Sequence, residues 1–96
     1  MLYFAHFNPA GVRTSWTAVP SQSTHNTGGI IMGTSPGNSV VNKYLQSWDC
    51  HNLFVMGAGV FPHNAAYNPT GPVGALAYWA ADAIRNRYIK NPGSLV

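Results

Sequence analysis

Charge is what this sequence has least of. Asp, Glu, Lys and Arg together make up 7% of its 96 residues, against about 25% in an ordinary soluble domain. A small independent domain exposes most of its surface and covers it with such side chains. This chain lacks the material to do so: either most of its surface meets another protein segment or, as the sparse charge favours, it is a cut piece of a larger interior. Cysteine is nearly absent too. Cys50 stands alone, which excludes an intrachain disulfide and a CxxC zinc motif. Acids are limited to Asp49 and Asp82, so no carboxylate cluster accompanies His6, His51 or His63, whose spacing matches no zinc-ligand pattern; no metal site is expected. No apolar run reaches the roughly 18–20 residues of a membrane-spanning helix. The opening MLYFAHF has no basic n-region, so no signal peptide is read there. Gly57 and Gly59 have no third glycine to complete GxGxxG, and no Gly-Lys-(Ser/Thr) ending is present for a P-loop.

What charge there is gives a net +3, with Arg85, Arg87 and Lys90 near the C-terminus. That is too sparse for a nucleic-acid footprint, which needs a basic stripe tracking phosphates. It suits the last turn of a helix, where cations complement the dipole.

Residues 1–19 show no sustained period and read as a poorly determined arm, punctuated by Pro9 and Gly11. Residues 20–33 are polar and glycine-bearing around Ile30, Ile31 and Met32, and TSPGN at 34–38 is a turn by composition. Val40 and Val41 predict a short strand within 39–45. The apolar run 53–56, stopped by Gly57-Ala58-Gly59, predicts a buried strand opening into a tight loop. The strongest pattern is a helix over about 69–88, with Val73, Leu76, Ala77, Ala80 and Ile84 on one face. Asn68 is a good N-cap type and Pro69 suits the first helical position. Asn91-Pro92-Gly93 ends the segment. The expected fold class is therefore α/β or α+β, as an incomplete piece: short strands plus one long C-terminal helix.

Two motifs, taken with their order and spacing, carry a resemblance. His25-Asn26-Thr27-Gly28-Gly29-Ile30-Ile31-Met32-Gly33 is similar to the His-x-x-Gly-Thr-x-x-Met-Gly pattern of glucose–methanol–choline (GMC) oxidoreductases. The run from Asn52 to Pro62, then Asn68-Pro69-Thr70 and a helix ending Ala80-Ala81-Asp82-Ala83-Ile84, resembles the family's second C-terminal signature. The wording THNTGG and YNPTGPVGALAYW looks like the gluconate and sugar dehydrogenase branch. One departure is Asn42, which stands where the family usually has Asp. The resemblance covers roughly residues 16–89 and makes 20–92 a C-terminal GMC segment, without the N-terminal FAD-binding motif.

The resemblance implies an FAD-dependent oxidoreductase acting on the CH–OH group of a sugar, sugar acid or other alcohol. The substrate carbon gives hydride to flavin N5 while its hydroxyl loses a proton. Imidazole titrates near neutrality, which suits it to that proton transfer, and His25 holds the matching position. Asn68 matches the family's second catalytic position, where an amide can hold the substrate oxygen; its other reading is the N-cap. Gly57, Ala58 and Gly59 are expected to let backbone approach the cofactor. The helix start at Asn68, Pro69, Thr70 and Gly71 is expected to face the flavin, because a helix N-terminus presents free N–H groups and partial positive charge. Implied partners are the N-terminal FAD-binding portion of the same enzyme, the alcohol substrate and, if the chain is like gluconate dehydrogenase, small and cytochrome c subunits. That likeness also implies a periplasmic or cytoplasmic-membrane-associated location. The 96 residues alone are expected to be inactive. The alternative from another class is a small non-enzymatic module docking on a larger subunit.

Overall fold

The computed structural model describes residues 24–64 and 68–96. The arm expected at 1–19, His6, the first residues of the 20–92 segment and Tyr67 lie outside the described residues.

The helix forms close to where the apolar spacing puts it. An α-helix, α1, spans Thr70–Ala83 and runs on as a π-helical turn over Ile84–Tyr88. Pro69 occupies the cap position in the αR conformation, and its carbonyl accepts the first helical bond from Val73 N–H at 2.9 Å. The expected cap was Asn68 with Pro69 inside the helix; the boundary lies one residue later, and no side chain caps it. The π turn closes with Ile89 N–H donating to the Ile84 carbonyl at 2.9 Å. Through this wider turn two sequence neighbours reach separate contacts. Arg87 Nη1 donates to Tyr44 Oη at 2.6 Å, while Tyr88 meets Phe54 edge-on at 5.3 Å and His51 Nδ1 at 3.0 Å. Tyr44 also stacks on Trp79 with centroids 5.8 Å apart, and Trp79 Nε1 donates to the Lys43 carbonyl at 2.9 Å. These contacts fasten the helix to the loops before it.

The extended part differs from expectation. Both short strands reduce to isolated bridges among the described residues: Met32 with Val41 (parallel), Val41 with Ser47, and Gln46 with Phe54 (both antiparallel). Turns interrupt pairing every few residues. Asn42 takes the chain into a tight turn in which Leu45 adopts φ +62° while fully buried. That left-handed conformation is unfavourable for Leu. It is held by Asn42, whose Oδ1 accepts the N–H groups of Tyr44 (2.8 Å) and Gln46 (3.2 Å). The run 53–56 is not a buried strand either, since Leu53 and Met56 are 49% and 44% exposed.

The core joins the loops to the helix. Val41, Leu45, Val60, Phe61 and Ala80 are buried together, with Ile30, Met32, Val55, Val73 and Leu76 packed against them. Gln46 is buried beside this core and ties four positions together. Its Nε2 donates to the carbonyls of His51 (2.7 Å) and Gly93 (2.8 Å), and its Oε1 accepts from Leu95 N–H (2.7 Å) and Asn42 Nδ2 (3.3 Å). The Asn42 amide therefore has a use that an Asp would lack: it donates to Gln46. Removing one partner from buried hydrogen bonds leaves the other desolvated. Gln46→Leu, close in size, is expected to lower stability by about 1–3 kcal/mol, read as a lower urea midpoint with faster amide exchange at Leu95. An unchanged midpoint would show that the clip contributes nothing.

Candidate functional site

The two signature stretches, some thirty residues apart in sequence, lie side by side. Gly57 turns the chain at φ +126° into a 3-10 turn over Ala58–Val60. That turn's carbonyls point at the His25 stretch. Ala58, Gly59 and Val60 accept from the N–H groups of Gly28 (3.4 Å), Ile30 (2.9 Å) and Met32 (2.8 Å) respectively. Alternate residues of one segment thus bond to consecutive residues of the other. Gly28 itself has φ +89°, the left-handed region that glycine adopts without a Cβ penalty. It redirects the chain between His25 and the hydrogen-bonded part.

The helix joins the same assembly through its core face. Val73, Leu76 and Ala80 pack in one cluster with Ile30, Met32, Val60 and Phe61. All three pieces that carry expected site residues (the His25 stretch, the 57–59 turn and the start of α1) therefore share one apolar centre. Among those residues His25, Asn68, Thr70 and Gly71 are exposed, Gly57, Ala58 and Gly59 are half-buried, and Pro69 is buried. His63 is exposed on the loop after the turn.

The start of α1 is chemically distinctive. The first N–H groups of a helix have no intrahelical acceptor, and Pro69 and Pro72 have no N–H at all. Thr70 and Gly71 are left as the outward-facing donors there, carrying the positive end of the helix dipole. The cap position of α1 belongs to Pro69, with no side-chain cap hydrogen bond, so Asn68 stands one residue before the cap and does not serve as the N-cap residue.

These features fit a flavin. A Cβ built on Gly57 would meet nothing within 4 Å, so backbone there is open to a planar ligand. The exposed Thr70 and Gly71 amides are of the donor type that suits the electron-rich N1–C2=O edge. Among the described residues no group of three His, Cys, Asp or Glu is placed to hold a metal ion.

The sequence reading missed one relation in this site. Ile30 fills the space beside Gly59, its Cγ1 lying 2.8 Å from where an added Cβ would stand. No local pattern signals such a contact.

Residues 6–77 match the family model described as GMC oxidoreductase. The chain is 56% identical over 86 residues to the gluconate 2-dehydrogenase flavoprotein of Pantoea cypripedii, covering 90% of this chain and 14% of that protein. It is 42% identical over 79 residues to the 2-methyl-1,2-propanediol dehydrogenase of Mycolicibacterium austroafricanum, covering 80% and 14%. It is 38% identical over 76 residues to the fructose dehydrogenase large subunit of Gluconobacter japonicus, covering 79% and 14%. The chain thus spans 14% of the length of each of these relatives. No solved structure matches it.

Proposed function

Since this chain belongs to the GMC oxidoreductase family, we propose that it acts as the catalytic C-terminal segment of an FAD-dependent dehydrogenase for CH–OH groups. The substrate class is a sugar, sugar acid or other polyhydroxylated alcohol. Relatives named for gluconate, a propanediol and fructose support that class. The relative named as a large subunit supports assembly with further subunits. One observation carries the reading: the His25 stretch is hydrogen-bonded onto the 58–60 turn, and both pack on the helix whose cap residue Pro69 directly follows Asn68.

FAD, when bound, supplies the hydride acceptor. His25 takes the hydroxyl proton at an imidazole nitrogen, leaving the electron pair on the alcohol oxygen to expel hydride from carbon. The Asn68 amide donates to that oxygen as negative charge grows on it, which is where a fixed donor lowers the barrier. The Thr70 and Gly71 N–H groups, with the positive end of α1, would hold an electron-rich edge of the flavin and would make it easier to reduce. At such a site the contribution is about 0.3–2 kcal/mol, enough to tune reduction. Gly57 leaves the backbone bare for close approach.

The test is a chimera in which this chain replaces the matching segment of the Pantoea cypripedii flavoprotein, assayed with an artificial electron acceptor against gluconate, fructose and simple diols. Flavin-dependent turnover of at least one of them is expected; a flavin-loaded chimera inert toward all of them would contradict the reading. The 96 residues by themselves contain no GxGxxG turn for the ADP half of the cofactor. Fluorescence titration of FAD with the isolated chain is expected to show no stoichiometric quenching, and stoichiometric quenching would refute that expectation.

A further inference from the structure

A methyl group built on Gly59 would lie 2.8 Å from Ile30 Cγ1 and 3.1 Å from Cδ1. At 2.8 Å something must shift, and at 3.1 Å the Ile30 side chain must give by a few tenths of an ångström. Backbone conformation is not what requires glycine here, because Gly59 lies in the 3-10 turn, outside the left-handed region. Gly57 is the reverse case, with φ +126° and open space around it. The two glycines of the Gly-Ala-Gly turn thus do different jobs: Gly57 makes the bend, and Gly59 makes room.

What it makes room for is the segment bearing His25. Ile30 N–H donates to the Gly59 carbonyl at 2.9 Å, the middle one of the three bonds that Gly28, Ile30 and Met32 make to the turn. Side-chain seat and backbone bond belong to the same residue pair, so a push on Ile30 strains that bond first. Gly28 adjoins the turn as well: a Cβ there would be 3.5 Å from the Phe61 carbonyl oxygen. His25 stands three residues before Gly28.

We infer that Gly59 is a positioning residue: its missing side chain leaves room for Ile30 to approach the turn, and the backbone bond made there, Ile30 N–H to the Gly59 carbonyl, fixes where the His25 imidazole stands. The inference rests on the reading of His25 as the base. Proton and hydride transfer are sensitive to placement, and a misplacement of about 1 Å can cost about 10²-fold in rate.

The experiment is a double-mutant cycle in the chimeric flavoprotein, following kcat, KM, bound flavin and thermal midpoint. Gly59→Ala is expected to lower kcat by about 10- to 100-fold, with flavin retained and KM little changed. Ile30→Ala removes both atoms in the way and is expected to keep kcat within about threefold, and the double variant to match it, a coupling that independent sites would not show. A double variant as slow as Gly59→Ala, or a Gly59→Ala protein as fast as its parent, overturns the proposal. So does a Gly59→Ala protein that loses its flavin while the double variant does too, since Gly59 would then act through the cofactor. If Gly59→Ala does not fold, the double variant is read alone: folded and active supports the seat, and misfolded overturns it. His25→Ala in the same protein separates the two levels. A fast His25→Ala overturns the base reading, whereas a slow one beside an unrescued Gly59→Ala overturns only the seat.

Discussion

His25→Ala in the chimeric flavoprotein is expected to lower kcat by about 10²–10⁴-fold, the usual contribution of one positioned acid or base. Bound flavin should stay near one per protein. His25 is exposed and precedes residues 28–32, whose bonds to the 58–60 turn are made by backbone groups and not by its ring. The loss is expected on turnover, with flavin retained. Stopped-flow reduction of the flavin by substrate reads the step directly. Reduction as fast as in the parent would mean that another group takes the hydroxyl proton.

Asn68→Ala should lower kcat by about 10²–10³-fold, the scale seen when a single donor to a developing oxyanion is removed. The structure makes this test clean. Were Asn68 a helix cap, alanine would cost about 0.5–2 kcal/mol of stability. The cap position belongs to Pro69 and α1 has no side-chain cap, so the thermal midpoint should barely move while turnover collapses. A lowered midpoint with turnover preserved would return Asn68 to a structural role.

The helix was legible because its signal is local. Apolar spacing and the closing Asn-Pro-Gly predicted 69–88, and α1 with its π turn covers 70–88. The start was misplaced by one residue because Pro69 takes αR geometry while still outside the helix, a distinction that residue type does not encode. The strands were overread for a related reason. A run such as Leu-Phe-Val-Met says that apolar surface is present, not that a partner strand lies alongside. Here turns at 34–38 and 42–45 break pairing before a ladder can grow, leaving bridges at Met32, Val41, Gln46 and Phe54. Gln46 gave no signal at all. It looks like a surface residue in the sequence, and its burial depends on four groups, two of them beyond position 92.

The candidate site divides in the same way. Which residues are proposed to carry the chemistry followed from motif order, because that chemistry needs an imidazole, an amide and bare backbone. What holds them together was not readable. The bonds from residues 28, 30 and 32 to 58, 59 and 60 cross about thirty positions, and so does the close approach of Ile30 to Gly59. Asn42 illustrates the point at one position. As a departure from the family's Asp it looked minor, yet its amide donates to Gln46 while its carbonyl oxygen holds the Leu45 turn.

The most direct measurement is a structure of the flavin-loaded chimera with a sugar acid bound at the flavin face. An imidazole nitrogen of His25 and the side-chain nitrogen of Asn68 should both lie within about 3.2 Å of the same substrate hydroxyl oxygen, with that carbon over flavin N5. Finding His25 and Asn68 on opposite sides of the ring, or contacting different substrate oxygens, would contradict the account.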